Sequence, residues 1–305
     1  MKRGAVKGTR SKRFAITPNP TDEEVRGFQN GLEAYNLEHT NGEFNSPEGW
    51  IYLVLKDHDG QVVGGVIAST LYWVMHLEVL WVEDRYRGLG YGRDLVLEAE
   101  MQGRRKGCVS AQTMTFAFQA PEFYKSIGYR VLTVYDGYVE GITELTLQKR
   151  LDEVEESQDP QDGPERLVVS EDASDESQRI LHRGLGRYVE EHVGELMRRH
   201  PGYRVKTVVK NNDGQVIGGI LGYTTMGCLT IDELWVDERY RGQGYGRELL
   251  VSAEKLAKES GCISCLTWCF SFQSLGFFQR LGYTTFALSD AYPQPVKEHF
   301  LTKRL

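Results

Sequence analysis

The segment WVEDRYRGLGYGR runs from Trp81 to Arg93, and it returns as WVDERYRGQGYGR from Trp235 to Arg247. The same step of 154 residues carries Gly64-Gly65 onto Gly218-Gly219, Phe118-Gln119 onto Phe272-Gln273, and Lys149-Arg150-Leu151 onto Lys303-Arg304-Leu305. Residues 59–151 and 213–305 align without a gap. Solenoid units are about 20 to 50 residues long, so two copies at this period read as a duplicated domain. A chain of 305 residues has room for two such cores.

The boundary falls in residues 151–165, LDEVEESQDPQDGPE, which hold seven acidic residues and no basic one. Such a segment cannot bury a core, so 152–165 reads as a linker between domains at 14–151 and 166–305. The whole chain carries a net charge of −7, and the rest of it is therefore neutral. The acidic balance belongs to the linker and gives no clue to the substrate. Residues 1–13 are basic with no apolar run behind them, which predicts a disordered tail and not a secretory signal. No apolar stretch approaches the roughly 20 residues that span a bilayer, and no basic stripe lies outside the tail. Neither membrane nor nucleic acid is an expected partner.

Five cysteines, an odd number, fit reduced thiols and a cytoplasmic location. Cys262, Cys265 and Cys269 suggest a metal site at first sight, but no histidine pair accompanies them. Residues three apart in a strand also point to opposite faces, so no metal is expected.

Within a copy, Thr21 and Glu24 have capping-box spacing and Val25, Phe28, Leu32 and Tyr35 recur at helical intervals. GLEAYN at 31–36 is echoed by GLGRYV at 184–189 with one residue of slippage, so the repeat includes this helix. WIYLVL, the turn DHDG and QVVGGVIAST then read as a hairpin, and HLEVLWV or TIDELWV as the next strand. The glycines follow that strand and open a helix, RDLVLEAEMQGRRKG or RELLVSAEKLAKESG. A strand, a short helix and two closing strands complete the unit.

A strand-to-helix turn rich in glycine is a natural anion site, because the first amides of a helix are unpaired and its dipole is positive there. Glycines 88, 90 and 92, or 242, 244 and 246, let a phosphate reach the backbone. The turn lacks the Lys-Ser/Thr ending of a P-loop and does not fit the dinucleotide fingerprint.

Arg87-x-x-Gly90-x-Gly92 and Arg241-x-x-Gly244-x-Gly246 resemble the Arg/Gln-x-x-Gly-x-Gly/Ala motif of the GCN5-related N-acetyltransferases (GNAT). An LWV strand before the motif and FYKSIGY after it extend the resemblance over nearly all of both copies. The resemblance implies an α/β fold of two domains, each a mixed, mostly antiparallel sheet flanked by helices, with a splayed parallel strand pair that binds acetyl-CoA. It implies cofactor contacts at Val82, Arg87, Gly88, Leu89, Gly90, Tyr91, Gly92 and Arg93. In copy two they fall at Val236, Arg241, Gly242, Gln243, Gly244, Tyr245, Gly246 and Arg247. The two domains are expected to pack as a pseudo-dimer within one chain.

Acetyl transfer to an amine of pKa about 10 needs a base, and a thiolate of pKa about 8.5 accepts a proton. Family bases lie about nine and eleven positions before the motif arginine, which here gives Glu78 and His76, of one strand parity. The same count in copy two gives Asp232 and Thr230, with Glu233 pointing the other way by alternation. The family acid, a tyrosine on the short helix, falls at Tyr124, while copy two has Phe278, which cannot donate. Copy one is therefore expected to catalyse. Copy two is expected to bind CoA, complete a cleft or catalyse weakly, with two working sites still open. The expected reaction is acetylation of a small-molecule amine such as an amino acid, polyamine or aminoglycoside. Protein or peptide acetylation and a non-catalytic CoA sensor are the alternatives.

Overall fold

The computed structural model describes residues 14, 16–42, 44, 49–152 and 167–305. The basic tail at 1–13 and nearly all of the acidic linker lie outside the described residues.

Copy one supplies β1 (Ile16–Pro18), α1 (Asp22–His39), β2 (Gly49–Lys56), β3 (Val62–Leu71), β4 (Val74–Val82), α2 (Tyr91–Arg105), β5 (Ser110–Phe116), α3 (Pro121–Ser126), β6 (Arg130–Tyr135) and β7 (Glu144–Arg150). Copy two supplies β8 (Val169–Glu171), α4 (Asp175–Arg199), β9 (Arg204–Lys210), β10 (Val216–Thr225), β11 (Cys228–Val236), α5 (Tyr245–Glu259), β12 (Ser264–Phe270), α6 (Leu275–Arg280), β13 (Thr284–Ser289) and β14 (Glu298–Arg304). Thr21 caps α1 with the capping box its spacing predicts: its hydroxyl accepts from Glu24 N, and Glu24 Oε2 accepts from Thr21 N at 2.8 Å.

Two seven-stranded sheets result, ordered β6-β7-β5-β4-β3-β2-β8 and β1-β9-β10-β11-β12-β14-β13. Each is antiparallel except at β4/β5 and β11/β12, so the mixed α/β architecture is as the resemblance implies. Leu95, Val96 and Ala99 of α2 are buried with Ile51, Val66 and Leu77 in one core, and Leu249, Leu250 and Ala253 of α5 with Val209, Ile220 and Ile231 in the other.

The strand order departs from the expected unit at 14–151. β1 pairs with β9, with Ile16 opposite Val209, and β8 pairs with β2, with Ser170 opposite Val54. The helices follow their strands: α1 packs on β10 and β11, and α4 on β3 and β4. Glycines make room for the exchanged helices. A Cβ on Gly219 would lie 2.4 Å from the ring of Phe28, and one on Gly65 would lie 2.8 Å from Leu181. Gly31 and Gly184, the helix glycines of the echoed segment, receive the rings of Trp235 and Trp81. Each copy thus lends its first strand and helix to the other sheet, and the linker does not divide the folded units.

Direct contacts also join the sheets. The Tyr135 hydroxyl lies 3.1 Å from Ser264 Oγ and 3.2 Å from Thr302 Oγ1. At the position one step along, Ser289 meets Gln112 at 2.8 Å and Gln148 at 3.0 Å. One large side chain faces two small ones at the first junction, and one small faces two large at the second.

Candidate active site

The parallel pairs splay where the resemblance places a ligand. Register between β4 and β5 ends at Leu77 opposite Thr113, and between β11 and β12 at Ile231 opposite Thr267. At each apex the threonine hydroxyl donates to the carbonyl of the opposite residue, Leu77 at 3.2 Å or Ile231 at 3.1 Å.

Beyond each splay, Gly90 (φ 88°) and Gly244 (φ 95°) form the left-handed N-caps of α2 and α5, and no side chain caps either helix. A Cβ at Gly88 or Gly242 meets nothing within 4 Å, and at Gly92 or Gly246 it meets a phenylalanine ring at 3.5 Å, an ordinary contact. Internal packing therefore does not require a bare backbone at 92 and 246, whereas an anion held on the first-turn amides does. The residues present fit the pyrophosphate of acetyl-CoA equally well in both copies.

The other expected cofactor residues take different roles. Arg87 and Arg241 turn Nε back to the carbonyls of Val82 and Val236, both at 2.8 Å, which ties the turn to its strand. Tyr91 and Tyr245 are buried, and their rings pack in the cores. Leu89 is exposed, Gln243 donates to Arg239 O at 3.1 Å, and Arg93 and Arg247 stand in the first helical turns.

The exchanged helices complete this end. Tyr35 of α1 lies under Arg241, with the guanidinium 4.6 Å from its ring centroid, and donates to Phe272 O at 3.3 Å. Tyr188 of α4 does the same for Arg87 at 5.1 Å and Phe118 O at 3.1 Å. Each tyrosine bridges the mouth of a splay. Both lie in the echoed hexapeptides, the signal that could have found them; spacing alone assigns Tyr35 only to a helix face.

A cleft of about 1310 Å³ extends from the copy-two turn along the splay. Arg241, Arg247 and Arg280 line it, the first two at the glycine turn, and Glu33, Asp232, Glu233 and Glu298 line it as well. Copy one contributes His76, Glu78 and Thr113 to the same walls.

One expectation fails here. Glu233 does not point away from Asp232; both line the cleft. The register of β11 on β10 jumps from Glu233 opposite Leu221 to Ile231 opposite Gly222, leaving Asp232 as the extra residue of a β-bulge. A bulge cancels strict alternation and re-aims side chains. Gly222 is needed there, since a Cβ would sit 2.3 Å from Thr230 O. Glu78 is the bulged residue of β4 in the same way.

The bulge has electrostatic consequences. Burial, and next the charge of Glu233, push the Asp232 carboxyl up to about 7, against the pull of Arg204. Burial also raises Glu233, opposed by a hydrogen bond from Gln29 Nε2 of α1 at 2.9 Å. Glu298 is pushed up to about 8 by burial, partly offset by the Tyr292 hydroxyl. Burial lowers the His76 imidazole to about 4, so it is neutral at pH 7. Glu78 accepts from Ser69 Oγ at 2.7 Å. Tyr124 is buried and raised to about 12, against the effect of its bond to Thr113 at the splay apex. A phenol this weakly acidic stabilises a thiolate as a hydrogen-bond donor more readily than by giving up its proton. Phe278 occupies the equivalent place beside the copy-two cleft.

Sequence reasoning misses Glu298, Tyr292 and Gln29. Glu298 repeats Glu144 in the gap-free alignment, but Leu301, Lys303 and Arg304 repeat Leu147, Lys149 and Arg150 in the same strand, so the identity is not selective.

Two stretches, 19–129 and 169–283, match the model of the acetyltransferase (GNAT) family. The chain is 38% identical over 93 residues to a blasticidin-S acetyltransferase of Streptomyces morookaense, covering 30% of this chain and 68% of that protein. It is 31% identical over 118 residues to an acetyltransferase of Agrobacterium fabrum (strain C58), covering 39% and 83%. A solved acetyltransferase structure from Bacillus cereus is 34% identical, with TM-score 0.41, covering 45% of this chain and 96% of its own. The chain therefore belongs to the GNAT family of N-acetyltransferases and carries two copies of the family domain in tandem.

Proposed function

We propose that this protein transfers the acetyl group of acetyl-CoA to a primary amine of a small, cationic molecule, and that copy two holds the principal site. The observation that carries this reading is the lining of one cleft, which joins the arginines of the glycine cradle to the carboxyls of Asp232, Glu233 and Glu298. The relatives include an enzyme named for the small molecule blasticidin S, which fits a small acceptor.

Bound acetyl-CoA supplies the activated acetyl thioester. The amides after Gly244 hold the pyrophosphate, and Arg241 and Arg247 add positive charge. The carboxyls attract the protonated amine, which must lose a proton before it attacks. Asp232, with a pKa of about 7, is charged in half or more of the molecules at neutral pH and accepts that proton. With Phe278 at the acid position, the thiolate of copy two leaves without a donor.

Copy one supports a second site on a different balance. Tyr124 provides the donor that copy two lacks, while Glu78 and the neutral His76 are its candidate bases. Peptide acetylation is disfavoured because α1 runs along the cleft, where Gln29 donates to Glu233 at 2.9 Å, and narrows the approach to Asp232.

Calorimetric titration with CoA, followed by thiol release across an amine panel, tests the reading. Gly246→Asp places a carboxylate in the copy-two cradle; it should remove one CoA equivalent and most turnover. Gly92→Asp should remove one equivalent and less turnover. The reverse pattern would assign the main site to copy one. Binding without thiol release on any amine would leave a CoA sensor.

A further inference from the structure

Glu298 stands at the start of β14, only 5% exposed, and lines the cleft. The Tyr292 hydroxyl bonds to its carboxylate, but Oε2 is buried and has no hydrogen-bond partner. The repeat contains the same pair as Tyr138 and Glu144, where the hydroxyl donates to Glu144 Oε2 at 2.9 Å. The orphan oxygen is thus a property of copy two. Glu233 has the same deficit in part: Gln29 takes one oxygen, and its Oε2 is buried without a partner.

A buried carboxylate oxygen with no donor is costly, and native structures rarely keep one unless something else supplies the donor. Here two such oxygens border one cavity that also contains the candidate base. Water could satisfy a polar cavity, but burial holds Glu298 and Glu233 toward their neutral acids, and a cation facing their oxygens is what would keep them ionised. The reacting amine cannot fill this role, because it gives its proton to Asp232 and attacks as a neutral group. A different positive group must stay charged throughout.

We propose that the acceptor carries a second ammonium group, which Glu298 binds through Oε2 while Glu233 adds charge, so that the substrates are diamines or larger polycations. This rests on the reading of copy two as an acetylating site. The second ammonium would hold the reacting amine in register with the splay and would select against monoamines and amino alcohols. A site built to bind a polar group rejects the analogue lacking it far more strongly than an apolar pocket rejects a missing methylene.

The test compares 1,4-diaminobutane and 1,6-diaminohexane with amino alcohols of the same chain length, in wild type, Glu298→Gln and Asp232→Asn. Wild type should prefer the better diamine over its amino alcohol by about 100-fold or more in kcat/KM. Glu298→Gln should reduce that ratio below about tenfold, and Asp232→Asn should slow both acceptors while preserving it. Calorimetric binding of the diamines to CoA-loaded protein gives a second readout that needs no turnover, and it should weaken about tenfold or more in Glu298→Gln. A thermal melt beside wild type establishes that the variant is folded. An unchanged ratio and unchanged diamine affinity in folded Glu298→Gln would overturn the proposal, as would a wild type indifferent to the second amine. Full activity in Asp232→Asn would instead overturn the assignment of the base, and the binding measurement would still decide on Glu298.

Discussion

Asp232 and Glu233 are consecutive in β11, yet both line the cleft, and the charge of one raises the pKa of the other. Removing that charge has a predictable sign. Glu233→Gln should lower the Asp232 pKa and move the acidic limb of the kcat/KM profile toward lower pH by up to about one unit. Burial, the larger cause, keeps it above an ordinary aspartate. A pH–rate series on both proteins checks this, and a limb that stays fixed would place the titrating base elsewhere.

Stability should carry the same signature. The folded pKa of Asp232 lies above its unfolded value, so the stability tied to this group is complete below about pH 4 and is lost as pH rises through about 7. Asp232→Asn should therefore raise the melting temperature more at pH 8 than at pH 5. Calorimetric scans at both values would show it.

Asp232→Asn and Tyr124→Phe separate the contributions of the two copies. Loss of a general base costs about 10² to 10⁴ in rate, and that is the expected effect of Asp232→Asn on the main activity. Tyr124→Phe should cost about tenfold or less, with CoA binding intact. If the larger loss follows Tyr124→Phe or the double change at His76 and Glu78, copy one is the principal catalyst.

The exchanged helices predict effects that cross the chain. Gly31→Leu, which drives a side chain into Trp235, should impair CoA binding in copy two, and Gly184→Leu should impair it in copy one through Trp81. Phe28→Ala should cost about 3 to 5 kcal/mol of stability, since its ring is fully buried on Gly219. Titration of each variant with its partner cradle blocked by Gly92→Asp or Gly246→Asp assigns the damage.

Much of this was legible in the sequence for definite reasons. The 154-residue step exposes the duplication, and the strand before the glycines and the helical spacing after them mark a strand-to-helix turn, which forms at Gly90 and Gly244. Two features escaped. Alternation assigned Glu233 to the wrong side because a bulge leaves no mark in hydrophobic pattern; Gly222, opposite it, is also consistent with an ordinary strand. The exchange escaped because the pieces are nearly interchangeable. Gly31 and Gly184 accept identical tryptophans, and Tyr35 and Tyr188 approach identical arginines, so each helix satisfies the pattern of either sheet. Only the hydrogen bonds of β1 and β8 distinguish the pairings.

That pairing changes what holds the molecule together. The acidic linker leaves β7 and returns to β8, both in the first sheet. The chain passes between sheets elsewhere, once between α1 and β2 and once between α4 and β9. A protease site inserted between Asp159 and Pro160 should accordingly produce two pieces that travel as one particle in gel filtration, each still clasping the other by a strand and a helix. The segment that looks like a tether in the sequence is then not what joins the halves, and residues 22–39 pack on a sheet encoded two hundred positions later.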